Sequence, residues 1–135
     1  STKVLTSPEL VQKVEIDQTI QAICYADDYI GVITDSSDTE GSSAPYQLTV
    51  YKLNGQTVFS TPFQLNYTGF DIDQKKVLIY NDTTLQVYDM SGTCKYSGNM
   101  DTSMTKVRVA RGFQTPLGLN LLIGSTGAIE SVKLK

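Results

Sequence analysis

The densest run of side chains able to do chemistry is Asp35-Ser36-Ser37-Asp38-Thr39-Glu40-Gly41. Three carboxylates this close together are the raw material of a cation-binding loop. A calcium loop needs oxygen ligands at alternating positions, a glycine at the sixth and a bidentate acid at the twelfth. Counting from Asp35, those last two places hold Glu40 and Tyr46, so the pattern fails and the stretch reads as a solvated acidic loop. Carboxylate pairs also stand at Asp27-Asp28 and at Asp71/Asp73. General acid-base work needs two acids in unlike environments converging on one substrate. Here each pair lies beside a predicted hairpin turn, where aspartate bonds its own backbone, and turn chemistry is the expectation. The chain has no histidine, which removes the usual general base and the Ser-His and Cys-His arrangements together. The serine turn Gly124-Ser125-Thr126-Gly127 has no activating partner in the pattern, and no nucleophile-elbow motif occurs. Cys24 and Cys94 are far apart with no paired-ligand spacing, so zinc is not indicated. No catalytic residue, metal site or cofactor site is expected, and the protein is not read as an enzyme.

The net charge is −3, and no two Lys/Arg neighbours extend into a basic patch, which argues against a nucleic-acid partner. No run of apolar residues reaches the length of a membrane span. With eight tyrosines and no tryptophan, the composition suits half-buried sheet surfaces.

The elements that would carry these residues are strands. Val50-Tyr51-Lys52-Leu53-Asn54-Gly55 returns as Val87-Tyr88-Asp89-Met90-Ser91-Gly92, and each copy follows an apolar run, Tyr29–Ile33 or Val77–Tyr80. An all-strand unit of about 40 residues is the signature of a β-propeller blade. Set in register, the second unit has strands at Gly69–Ile72, Lys76–Asn81, Leu85–Met90 and Thr93–Ser97. The first has Ile20–Tyr25, Tyr29–Thr34, Gln47–Leu53 and Gln56–Ser60, with residues 36–45 inserted before its third strand. The third has Lys106–Ala110, Leu119–Ile123 and Ile129–Leu134 and lacks a fourth strand. Ile33, Ile79 and Ile123 are expected at corresponding places, and residues 9–16 as a lone outer strand. The fold class is therefore all-β and propeller-like, one domain of about three four-stranded antiparallel blades at 19–60, 67–97 and 105–134.

Three blades do not close a ring, since propellers carry four to eight. Either the chain is a slice of a longer propeller, or copies close one ring as a homo-oligomer; the sequence leaves both open. In each case the lone first strand and the missing last strand would complete one another. Tyr51 and Tyr88 hold equivalent repeat positions and read as packing between blades.

The repeat phrases resemble quinoprotein-type and WD40-like propeller repeats, in which a strand ends in a polar residue before a glycine turn, although the usual tryptophan is missing. The tail Leu121–Ser125 followed by Ile129–Lys135 is similar to the C-terminus of an uncharacterised family of bacterial propeller-like proteins, a domain of unknown function. That resemblance implies closing blades of an extracytoplasmic, cell-envelope protein whose parent carries a membrane anchor. Quinone-holding residues of the enzymatic relatives are not recognisable, so no cofactor carries over. The expected function is a non-catalytic module for protein–protein interaction or scaffolding, its partner a protein of unknown identity. The expected partner-binding loop holds Asp35, Asp38, Glu40 and Tyr46. The alternative is part of a larger propeller enzyme or carbohydrate-binding protein, its site completed by blades outside this chain.

Overall fold

Two-residue connections set the plan. Asp27 and Asp28 have φ of 55° and 65°, and Gln74 and Lys75 have 48° and 61°, the left-handed pair that a tight hairpin turn requires. A second turn, at residues 52–56 and again at 89–93, closes with the same two backbone bonds and a left-handed glycine, Gly55 or Gly92. Each is followed by a shift of register in the ladder, the mark of a glycine bulge that strengthens the local twist. Turns of this kind leave consecutive strands no choice but to pair antiparallel.

A computed structural model describes residues 4–37, 40–41, 43–110 and 118–134. Among them are eleven strands and no helix, in three antiparallel sheets. The first sheet is β1 (Ile20–Ala26), β2 (Tyr29–Asp35), β3 (Tyr46–Lys52) and β4 (Thr57–Phe63), side by side in that order. The second is β5 (Gly69–Asp73), β6 (Lys76–Tyr80), β7 (Thr84–Tyr88) and β8 (Cys94–Asn99). The third is β9 (Lys106–Val109), β10 (Leu119–Gly124) and β11 (Ile129–Leu134). The first strands β1, β5 and β9 are neighbours across the sheets.

Packing explains why Val77-Leu78-Ile79-Tyr80 is apolar without interruption. Successive residues of a strand face opposite sides, and the middle sheet is covered on both. Val77 and Ile79, with Ile72 and Tyr88, meet Ile33, Leu48, Val50, Phe59 and Phe63 of the first sheet. Leu78 and Tyr80, with Leu85 and Val87, meet Val107, Val109, Leu121 and Ile123 of the third. Each fully buried aliphatic side chain contributes about 1.5–3 kcal/mol by leaving water, so these two interfaces hold the sheets together.

Two sequence expectations are corrected. The ladders place Ile33 opposite Leu48 and Tyr80 opposite Leu85, so Ile33 corresponds to Tyr80. Ile79 and Ile123 do correspond, both facing the preceding sheet, whereas Ile33 faces the following one. A slip of one residue reverses the face a strand residue presents, and the sequence alone could not see it beside the ten-residue insertion. Residues 9–16 join no ladder. A strand exists only where an edge satisfies its backbone groups, and these residues pair with none. They lie instead over the outer face of the first sheet, where Leu10, Val14 and Ile16 share a groove of about 600 Å³ with Ile23, Ile30 and Tyr51.

Candidate functional site

The sheets present two rims. One carries the insertion between β2 and β3 together with the connections that link successive sheets. Loop 36–45 is fixed at its neck: the Ser36 N–H donates to the Pro45 carbonyl at 2.8 Å and the Ser36 hydroxyl to the Ala44 carbonyl at 2.8 Å. Ser36 and Ala44 are buried although the loop between them is polar. The Asp35 N–H is bound to the Thr19 carbonyl at 2.9 Å, tying the neck to the chain entering β1. A neck satisfied in this way holds the loop's two ends at a set position on the sheet.

Beside the neck sits an aromatic trio. Tyr46 stacks on Phe63 at 5.1 Å between ring centroids and meets Tyr67 edge-on at 5.3 Å. Such pairs contribute about 0.5–1.5 kcal/mol beyond burial. The Tyr46 hydroxyl donates to Asn66 Oδ1 at 3.1 Å, and the Gln64 side-chain amide donates to the Ser43 carbonyl at 3.2 Å. The connection between the first and second sheets thus grips the insertion from the side.

Of the sequence-predicted loop residues, Asp35 and Tyr46 face one another across β2 and β3. Asp35 Oδ1 accepts from the Ser37 hydroxyl at 2.6 Å and the Ser37 N–H at 2.8 Å, bonds that hold its carboxyl below the ordinary aspartate value. Glu40 is exposed in the loop. Asp38 lies outside the described residues. No group of three His, Cys, Asp or Glu among the described residues is placed to hold a metal ion.

The other rim holds the first hairpin turns, and here the pairs Asp27-Asp28 and Asp71/Asp73 part company. Asp28 accepts from the Tyr25 hydroxyl at 3.2 Å, a local bond, but Asp27 Oδ2 accepts the Lys75 N–H at 3.1 Å from the neighbouring turn of the second sheet. Asp71 and Asp73 reach the third sheet. Asp71 Oδ2 meets Lys106 Nζ at 3.0 Å and Arg108 Nη1 at 3.3 Å. Buried Asp73 Oδ2 accepts the Val109 N–H at 2.7 Å and lies 3.2 Å from Arg108 Nε. The turn expectation for this pair is therefore corrected: its carboxylates tie sheet to sheet. The signal was present, because Asp71-x-Asp73 and Lys106-x-Arg108 each place two charges on one side of a strand.

Neither cysteine is paired. Burial, with a smaller push from the Asp71 charge, raises the Cys24 thiol to about 12, so almost none of it is thiolate at neutral pH. What the two rims offer is a polar loop bonded at its neck beside aromatic rings at one end and ion pairs between sheets at the other. The charges at the second are used within the chain, between the second and third sheets. No helix of the described residues is long and apolar enough to cross a membrane.

Residues 2–134 match the model of a family described as a family of unknown function, DUF5711. No curated protein matches the chain.

Proposed function

The chain belongs to this family of unknown function, DUF5711, and from there we propose that it is a non-catalytic, propeller-like module that binds another protein through the rim around loop 36–45. The blade arrangement is supported by three sheets built to one plan, with β1, β5 and β9 adjacent and the middle sheet buried on both faces. A blade hides each face against a sibling, which is the way these sheets bury theirs. One observation carries the binding role: an insertion peculiar to the first sheet is clamped by Ser36, Gln64 and Tyr46 at the edge of a rigid stack. Loops displayed on rigid frames are where recognition concentrates.

The partner expected is a protein, since aromatic rings beside adaptable polar groups suit a peptide surface. The resemblance of the C-terminal tail, Leu121–Ser125 with Ile129–Lys135, to bacterial propeller-like proteins supports an extracytoplasmic setting. The test replaces residues 37–44 by Asn-Gly, a two-residue turn between the paired Ser36 and Pro45 that joins β2 to β3 as residues 82–83 join Asn81 to Thr84. Proteins crosslinked to the wild-type chain in its native envelope should be lost from the variant while its thermal unfolding is kept. An unchanged set of crosslinked proteins would move the function away from this rim. Binding of the wild type to a glycan array, abolished by the same replacement, would favour a carbohydrate binder instead.

A further inference from the structure

The outer face of the first sheet holds a second, smaller cleft beside the apolar groove. It lies where residues 16–18 cross β2, β3 and β4, and it has a volume of about 300 Å³, the small end of ligand sites. We propose that this cleft binds a neutral, polyhydroxylated ligand, a single sugar ring. The site uses none of residues 37–44, and the proposal does not rest on what loop 36–45 binds.

The lining sets the chemistry. Every lining residue except Ile16 carries a hydrogen-bonding side chain, and none carries a formal charge. Two of the hydroxyls are spent on backbone: Thr34 donates to the Gln47 carbonyl at 3.4 Å and Ser36 to the Ala44 carbonyl at 2.8 Å. The remaining groups form a row. Gln47 Nε2 donates to Ser60 Oγ at 2.7 Å, and Ser60 Oγ shares a hydrogen bond with Thr49 Oγ1 at 2.9 Å. Whichever of those two hydroxyls donates, one O–H proton is left for a ligand, beside the Gln47 Oε1 acceptor. The Gln18 amide and the Tyr51 hydroxyl have no partner among the described residues. A carboxylate or an ammonium brought here would lose hydration without meeting an opposite charge. A sugar hydroxyl, which both donates and accepts, meets what it needs, and Ile16 and the Tyr51 ring add apolar surface for the C–H face of the ring.

Two residues open the cleft. Counted back from the matching hairpin turns at 27–28 and 74–75, Ile16 and Gln18 correspond to Phe63 and Leu65. Phe63 is buried and, with Leu65, packs into the core between the first two sheets. Over the first sheet the same two places hold a smaller side chain and a polar one, so space that an aromatic ring fills at the next junction is left as a cleft. The site also stays reachable whatever packs on this face. Thr49 and Ser60 correspond to Gln86 and Ser97 of the second sheet. There the first sheet already covers the matching face, yet Ser97 is exposed and accepts from Gln86 Nε2 at 3.3 Å. The hydrogen-bonding row thus stands at a corner that one sheet does not cover on the next, and every group the site uses lies between residues 16 and 60.

Nuclear magnetic resonance titration of the isotope-labelled chain with glucose, galactose, mannose and N-acetylglucosamine tests the site. At least one of these sugars should shift the amide signals of Gln18, Gln47, Thr49 and Ser60 in the millimolar range, while the charged glucuronate and glucosamine should not. Ile16→Phe with Gln18→Leu places the second junction's residues over the first sheet; it should abolish the shifts and keep the fold by circular dichroism. Thr49→Val, close to isosteric, removes one hydrogen bond and should weaken binding about tenfold. Replacing residues 37–44 by Asn-Gly should leave the titration unchanged. Silence with all four neutral sugars overturns the proposal, as does binding that survives the filled cleft or that favours the charged sugars. Shifts lost with the loop replacement would move the sugar to the rim and overturn the cleft. The loop's own reading is judged by its crosslinked proteins, so the two fail separately.

Discussion

Replacing Asp73 tests whether the carboxylates on β5 hold sheets together or merely shape their own turn. Its side chain is 9% exposed, and Oδ2 accepts the buried Val109 N–H at 2.7 Å while facing Arg108 Nε at 3.2 Å. Asp73→Ala leaves that N–H without a partner, and an orphaned buried donor costs about 1–3 kcal/mol. The ion pair adds less, because the Arg108 side chain is 48% exposed and solvent screens it; pairs of that kind contribute about 0–1 kcal/mol. The alanine variant should therefore lose about 3 kcal/mol. Asp73→Asn keeps an acceptor oxygen in the same place, loses only the charge, and should cost about 1 kcal/mol. Urea unfolding followed by tyrosine fluorescence measures both, since the chain has eight tyrosines and no tryptophan. The slope against urea should stay constant, which would assign the change to stability rather than to the denatured state. Were the two variants to agree within about 0.5 kcal/mol, the inter-sheet bond would not be the source of the effect.

Two further outcomes are expected. Gly41 and Gly92 both have left-handed φ, 80° and 85°, but a Cβ at Gly41 meets nothing within 4 Å whereas at Gly92 it meets Phe59 at 3.0 Å. Gly41→Ala should then cost about 1 kcal/mol of backbone strain, and Gly92→Ala measurably more in the same urea assay; equal losses would mean that Phe59 yields freely. Alkaline pH should weaken the fold. Burial raises the Cys24 thiol from 9.0 to about 12, and burial followed by the neighbouring Cys94 raises the Tyr88 hydroxyl from 10.0 to about 12. Between those values the folded chain keeps protons that the unfolded chain has released, so stability is intact below pH 9 and falls as pH rises toward 12. Cys24→Ser with Tyr88→Phe should flatten that decline in urea titrations at pH 8 to 11, and a slope equal to wild type would assign it to other groups.

The pattern of apolar residues and turn signals in the chain was enough to determine the strands and their grouping. Asn54-Gly55 and Ser91-Gly92 dictate their turns because glycine alone enters the left-handed region without strain, and the apolar run at 77–80 demands cover on both faces. The insertion at 36–45 was equally plain, being polar between two strands that otherwise match. Loop residues Asp35, Glu40 and Tyr46 were visible as a polar stretch, but their arrangement was not. The grip of Ser36, Gln64 and Asn66 on the loop is made between residues up to 21 positions apart.

Tertiary structure alone decided the rest, because those outcomes depend on partners distant along the chain. Asp71 and Asp73 look like turn formers locally, and only the approach of Lys106, Arg108 and the Val109 N–H, 35 to 37 residues later, makes them ties between sheets. Ile33 belongs to one face or the other according to a single step of register, which the pairing with Leu48 fixes and composition does not. Residues 9–16 have the makeup of a strand, yet a strand needs an edge, and the edge that would satisfy them is set by the packing of whole sheets.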